Sequence, residues 1–214
     1  WTFNHSLVVG TLADRAANQI GANSQLARAM AYYHDLGKTE NPTMFVENQI
    51  GYTNPHESLL PSESANIIKS HVTEGVKLAK RFKIPEIVYK GIIEHHGDGV
   101  IRYFYEKEKS ENSDALKEDF RHLGQKPSSK ESAILMLADS LEAACRAIFM
   151  VEDADEEKIK SVIEEIFNEK IADDQLSKAP ITFEELSIIK DSFQKSLEGL
   201  YHQRVLYPEI SEEE

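Results

Sequence analysis

Apolar residues recur at helical spacing from one end of the chain to the other, and no stretch sustains the period-two alternation that strands require. That pattern admits an all-α fold and little else. A first helix is expected over about 4–20, with Leu7, Val8, Leu12 and Ala16 on one face and Gly21 as its stop. A second starts near Ser24, carries Leu26, Met30 and Tyr33 toward His34 and Asp35, and ends at Gly37. Residues 39–61 contain Pro42, Gly51, Pro55 and Pro61 and read as a long irregular segment, of the kind that tends to be functional. Helices are expected over 62–68 and again from Ser70, where Val72, Val76, Ala79 and Phe82 form an apolar side. Pro85 suits the first position of the next helix, which carries Ile87, Val88, Ile92 and Ile93 to His95 and His96 before Gly97 and Gly99 break it. Residues 106–119, charged and poor in apolar side chains, read as mobile or solvated. Ser128 with Glu131 reads as a capping box that opens a helix through Asp139 to about Ile148. Two more amphipathic helices follow, one with Ile159, Val162, Ile163 and Ile166, the other opened by Thr182 and Glu185 and running through Leu186, Ile189, Phe193, Leu197 and Leu200. No internal repeat or boundary interrupts the series. One helical domain over 1–206 is expected, with its chemistry in about 3–148, its last helices in about 153–206 and an acidic tail at 207–214.

Composition narrows the class further. With 41% hydrophobic and 29% charged residues, the chain has the balance of an ordinary globular protein. No apolar run approaches the roughly 18 residues of a membrane span. The chain opens WTFNHS, with neither the basic and apolar regions of a signal peptide nor an initiator methionine, so it reads as a fragment of something longer. Its single cysteine, Cys145, lies in the apolar run AILMLADSLEAAC, which suits a buried structural thiol in a reducing compartment. A formal net charge of −13 argues against polymeric nucleic acid as a partner, since that needs a basic face. A small anionic ligand stays admissible, because local cations override the average field.

The placement of the eight histidines is the informative part. His34 abuts Asp35 in HDLGK, His95 abuts His96 in EHHGDG, and His5 and His71 each fall near the start of an expected helix. Asp139 interrupts the apolar run LMLADSL, where a carboxylate is costly to bury unless a cation or good donors compensate it. An HD dipeptide or a His pair at a helix end is a weak signal alone, and either serves as surface or capping residues. The ordered set is different. His5, His34, Asp35, His71, His95, His96 and Asp139 supply five imidazoles and two carboxylates, a mixture that suits iron, manganese or zinc better than magnesium or calcium. Seven donors exceed the needs of one ion and fit two if a carboxylate bridges, for which Asp35 is central. Two metals ~3.5–4 Å apart can activate a bridging water and clamp the attacking and leaving oxygens of a phosphoryl displacement. No Ser–His–Asp set, reactive cysteine or phosphate-cradling glycine loop competes with this reading.

The order His5, HDLGK, His71, EHHG and Asp139 resembles the HD superfamily of metal phosphohydrolases. The stretches MFVENQIGYTNPHESLLPSES, IIKSHVTEGVKLAKRFKIPEIV and EHHGDGVIRYFY are similar, more narrowly, to the intracellular HD domain of PgpH-type cyclic di-AMP phosphodiesterases, which are membrane-anchored receptors. The likeness is specific over about residues 3–148 and general in the last helices. It implies an all-α HD-domain helical bundle around a dinuclear metal site with two divalent ions, iron or manganese. It implies cyclic di-AMP as the partner, cleaved to the linear dinucleotide pApA by a metal-bridging hydroxide. It also implies a cytoplasmic domain whose full-length protein is membrane-embedded through an N-terminal part outside this chain, with a homodimer as an open arrangement. Carried over, His5, His34, Asp35 and Asp139 would hold one metal, and Asp35, His71, His95 and His96 the other. Lys38 would sit over the metals and contact a substrate phosphate, its plain alternative being a solvated helix-end lysine. Arg102, Tyr103, Phe104 and Tyr105 would stack on a base or touch phosphate, or else pack an amphipathic helix into the core. Glu47, Asn48, Asn54 and His56 would wall the site, while His122 and His202 read as packing or surface histidines. A cyclic di-GMP enzyme of the HD-GYP type would carry a GYP triad after the His pair, where GVIRYFY stands instead. A nucleotidase, a di-iron HD oxygenase and a metal-stabilised docking domain stay open beside the phosphodiesterase.

Overall fold

The computed structural model describes residues 2–49, 54–149 and 155–201, which form eight α-helices and no strands. In order they are α1 (Thr2–Gln19), α2 (Ser24–Tyr33), α3 (Pro61–Arg81), α4 (Glu86–Glu94), α5 (Arg102–Glu111), α6 (Lys130–Phe149), α7 (Glu156–Ala172) and α8 (Phe183–Tyr201). His202 and the acidic tail at 207–214 lie outside the described residues, as do 50–53 of the long segment.

The arrangement follows from α6. Every residue from Ser132 to Asp139 is buried, and a helix apolar on all sides is stable only where other elements surround it. α1, α2, α4 and α7 pack directly around it. One apolar cluster then joins Val9, Leu12 and Ala16 of α1, Met30 of α2, Leu135 and Leu141 of α6, Ile159 and Phe167 of α7, and Ile189 and Phe193 of α8. The last two helices are therefore part of the core, supplying eight of its 26 buried residues. Phe167 and Phe193 are fully buried and contribute about 1.5–3 kcal/mol each by leaving water. Cys145 is buried in the same cluster, and that burial pushes its thiol up to about 12, as befits a structural rather than a reactive cysteine.

Four expectations need correction. The helices expected over 62–68 and from Ser70 are one, α3, because the Ser70 hydroxyl donates back to Ile67 O at 2.7 Å instead of capping a new start. His71 consequently sits in mid-helix. Pro85 precedes α4 as its cap rather than opening it. The segment 106–119 is solvated as expected, but its first part continues α5 to Glu111, anchored by the buried ring of Phe104. The capping pair of α6 is Ser129 with Ser132, whose hydroxyls and amides bond reciprocally; Ser128 donates instead to Glu94, and Glu131 accepts from the Asn23 amide. The Thr182–Glu185 pair does open α8 as read, each backbone N–H meeting the other's side chain.

Between α2 and α3, short 3-10 turns at Leu36–Thr39, Pro42–Met44, Val46–Asn48 and Pro55–Ser58 replace regular structure. The first is wedged against α3. A Cβ at Gly37 would meet His71 O at 1.8 Å and Gly75 N at 2.5 Å, so only glycine lets the chain after Asp35 lie against the helix that carries His71. Both obstacles are backbone and cannot rotate away. Gly37→Ala is expected to cost about 3 kcal/mol or more, read as a lowered urea midpoint; an unchanged midpoint would show that this contact is not needed.

Candidate metal centre

The helix scaffold delivers seven side chains to one buried spot. His5 comes from the first turn of α1, His34 caps α2, Asp35 follows it, His71 lies at the middle of α3, His95 caps α4 with His96 after it, and Asp139 projects from α6. Six of them are less than 8% exposed, and His96 is partly open. Asp35 is the hub. Its Oδ2 lies 3.3 Å from His34 Nε2 and 3.6 Å from His5 Nε2, while Oδ1 lies 3.7 Å from both His71 Nε2 and His95 Nε2. One carboxylate thus turns an oxygen toward each of two histidine groups. Asp139 spans the same gap, with Oδ1 at 3.0 Å from His5 Nε2 and 3.4 Å from His34 Nε2, and Oδ2 at 3.8 Å from His96 Nδ1. His71, His95 and His96 form one compact donor group, His5, His34 and Asp35 a second, and His34, His95 and Asp139 a third between them.

The hydrogen bonds determine which ring nitrogen faces inward. His34 Nδ1 donates to Ala31 O at 2.7 Å, His95 Nδ1 to Ile92 O at 2.9 Å and His71 Nδ1 to Ile68 O. A carbonyl only accepts, so each Nδ1 must carry hydrogen and each Nε2 can present a lone pair to the cluster. His71 Nε2 and His95 Nε2 are 3.2 Å apart. Two lone pairs at that separation repel, and a cation shared between them removes the repulsion. His34 Nε2 and Asp35 Oδ1 are likewise buried without an aligned hydrogen-bond partner. Orphaned buried atoms are costly, and their convergence in a His/Asp set fits divalent metal.

Charge is distributed to match. Burial opposes ionisation of Asp35 and Asp139, yet the neighbouring His34, with Lys38 beside Asp35 and His5 beside Asp139, holds both well below the ordinary carboxylate range. Burial also opposes a charge on His5, but hydrogen bonds to Asp139 and Glu142 outweigh it and raise this imidazole to about 9. Asp35 and Asp139 do the same for His34, to about 10. Burial pushes His71, His95 and His96 the other way and keeps them neutral.

Around this cluster stands a layer that sequence reasoning assigned only in part. Lys38 Nζ lies 2.7 Å from both Asp35 Oδ2 and Glu47 Oε1 and 5.1 Å from the Phe45 ring centre. It is a paired cation at the edge of the cluster rather than a solvated lysine. Glu47 and Phe45 belong to the irregular segment, and Phe45 also packs edge-on against His71. Asn48 ties this segment to the start of α1, donating to Thr2 Oγ1 at 2.8 Å and accepting from the Thr2 amide. Asn54 accepts from the His56 amide, and His56 donates to Met44 O at 2.8 Å, so both brace the segment from within. Glu142 was missed, although its position one turn after Asp139 in ADSLE was a usable signal; its carboxylate bonds His5 Nδ1. His122, expected as a packing or surface residue, stacks on His96 at 4.2 Å because its amide is bonded to Gly99 O; burial holds its imidazole down to about 3. Gln175, between α7 and α8, donates to Asp98 Oδ1 at 2.7 Å and packs on Gly97, supporting the turn that carries His96. The structure brings all seven expected donors and Lys38 together. Arg102 and Tyr103 stand apart on α5: Arg102 pairs with Glu169 at 3.4 Å, and Tyr103 is 70% exposed.

The sequence profile of the HD domain family matches residues 2–144. The chain is 40% identical over 98% of its length to the cyclic-di-AMP phosphodiesterase PgpH of Bacillus subtilis, and 41% identical over 97% of its length to the protein of that name in Listeria monocytogenes. It spans 29% of the length of each. Its fold superposes on the crystal structure of the L. monocytogenes PgpH HD domain in complex with cyclic-di-AMP with a TM-score of 0.90, at 41% identity, covering 96% of this chain and 94% of that one.

The raised values of His5 and His34 set the sense of the pH dependence. Both lie above the ordinary 6.5, so near pH 7 both rings hold a proton that an incoming cation must displace. Chelator-treated protein should release up to two protons per chain on metal addition at pH 7, and its apparent affinity should rise from pH 7 toward 9. Titration in weak buffer with a pH indicator measures this; affinity independent of pH would contradict the assignment of these two rings as ligands.

Proposed function

The chain belongs to the HD-domain family, and from that premise we propose that it is a metal-dependent phosphodiesterase that hydrolyses cyclic di-AMP to pApA. The observation that carries the proposal is Asp35, a buried carboxylate with one oxygen toward His5 and His34 and the other toward His71 and His95. In this reading His5, His34, Asp35 and Asp139 hold one divalent ion and Asp35, His71, His95 and His96 hold a second; the mixed imidazole and carboxylate set suits iron, manganese or zinc, and the resemblance to PgpH-type enzymes favours iron or manganese. Bound ions supply Lewis-acid neutralisation of phosphoryl charge and make water acidic enough to attack at neutral pH.

The protein's own residues prepare that chemistry. Backbone carbonyls behind His34, His71 and His95 fix their rings so that all three Nε2 atoms point inward before any ligand arrives. Lys38, whose ammonium is stabilised against burial by Asp35 and Glu47, stays cationic and supplies a fixed positive charge where a phosphate would approach. Phe45 keeps water away from His71 on that side. Arg102 and Tyr103, just past the HHGDG turn, are proposed contacts for a base or a phosphate. Cyclic di-AMP as substrate is supported by similarity, over nearly the whole chain, to phosphodiesterases named for it. Those proteins are more than three times longer, so the chain matches only part of such a protein. A cytoplasmic domain of a membrane-anchored protein, the setting that the resemblance to PgpH-type proteins implies, is proposed for it, with 1–206 as one folding unit; among the described residues no helix is long and apolar enough to cross a membrane.

Purified metal-loaded protein offered cyclic di-AMP and cyclic di-GMP in parallel, with products separated by chromatography, should yield pApA from the first at least about tenfold faster than any product from the second. Asp35→Asn should lower kcat by about 10²-fold or more with the helical circular dichroism retained. Equal rates on both nucleotides overturn the substrate, and turnover surviving in Asp35→Asn overturns the site.

A further inference from the structure

The histidines of the cluster are oriented in three different ways. His34, His71 and His95 each send Nδ1 to a carbonyl three residues back in their own helix, a neutral acceptor fixed by the helix itself. His96 has no such bond and is held by stacking on His95 and His122. His5 alone sends its Nδ1 to a carboxylate, that of Glu142. Glu142 is 6% exposed, lies on α6 one turn beyond Asp139, and has its second oxygen 3.4 Å from Arg146 Nε one turn further on. Two side chains one turn apart on α6 thus take the two ring nitrogens of His5, Asp139 the inward Nε2 and Glu142 the Nδ1 behind it, with Arg146 against the far oxygen of Glu142.

A carboxylate behind an imidazole does more than a carbonyl. It holds the same tautomer, with hydrogen on Nδ1 and the lone pair on Nε2, and its negative charge also makes that lone pair a stronger donor to a cation. The effect falls on one side of Asp35 only, because the acceptors behind His71 and His95 are uncharged.

Building on the metal-centre reading above, we infer that Glu142 is a positioning residue that strengthens one of two inequivalent cation positions, the one built from His5, His34 and Asp139. Removing it weakens that position and spares the position at His71, His95 and His96. Arg146 forms an ion pair with the other oxygen of Glu142 from the far side.

The test is manganese binding to the chelator-treated full chain, followed through the electron paramagnetic resonance of free Mn(II) and checked by elemental analysis. Wild type should take two ions per chain. Glu142→Leu should weaken one of them ten- to a hundredfold and leave the other at its wild-type affinity, with circular dichroism and thermal midpoint of the chelator-treated protein unchanged. Glu142→Gln keeps the shape and an acceptor oxygen but loses the charge, and should show a smaller loss at the same position; it also serves if the leucine variant fails to fold. His71→Ala should weaken the opposite position. Wild-type affinities at both positions in the Glu142 variants, or equal weakening of both with a lowered midpoint, would overturn the inference while the metal centre stands. A wild-type chain that takes up no manganese would sink the centre and this inference together.

Discussion

Two buried carboxylates, Asp35 and Asp139, sit among histidines inside a helical core, both oxygens of Asp35 without an aligned hydrogen-bond donor, and the rest of the molecule is arranged around that fact. Isolating a carboxylate from water is costly unless positive charge is brought to it. Here the compensation is concentrated on Asp35: Lys38 on one edge, imidazoles on the others, and lone pairs of His71 and His95 facing each other at 3.2 Å. Such a cluster is unfavourable as pure protein and favourable as a cage for cations. The helices can be read as the means of holding it together.

That role explains why the donors occur at ends and irregular points. His34 and His95 cap their helices, Asp35 follows a cap, and Gly37 drops the chain onto α3 so closely that a methyl group would not fit. Only His71 and Asp139 stand in mid-helix, and both helices are fixed from several sides. Distances between donors are therefore set by core packing, which is nearly incompressible, rather than by mobile loops. α7 and α8 share one apolar cluster with α6, the helix that carries Asp139.

The cluster was legible in the sequence because few residue types can donate to a metal: HDLGK, EHHG and an aspartate in an apolar run each contradict local expectation in the same direction. The all-helical fold was legible from periodicity alone. Most of what escaped had no local signature. Ser70 looks like a cap and is a mid-helix serine bonded backward, and Ser129 rather than Ser128 caps α6, since neighbouring hydroxyls compete within one residue. His122 and Gln175 reach the turn after His96 from 26 and 79 positions away, through an isolated bridge and a side-chain bond that no spacing rule encodes. Glu142 was within reach of a periodicity argument, being on the same face as Asp139, but a single acidic residue on a long helix is ordinarily a solvated one.

The stretch 41–60, past Asp35, Gly37 and Lys38, differs in kind from everything else near the cluster. It reaches the cluster through Phe45 on His71 and Glu47 on Lys38 and is pinned at Asn48, yet its described residues form only short 3-10 turns and contribute little to the apolar core. The cage and its wall are thus built from separable parts of the chain. Lengthening, shortening or rewriting the wall leaves the helix packing that spaces the ligands untouched. A lineage built on this architecture is free to change what it admits while keeping the reaction it performs, and divergence in ligand choice should accumulate in that stretch rather than in the bundle.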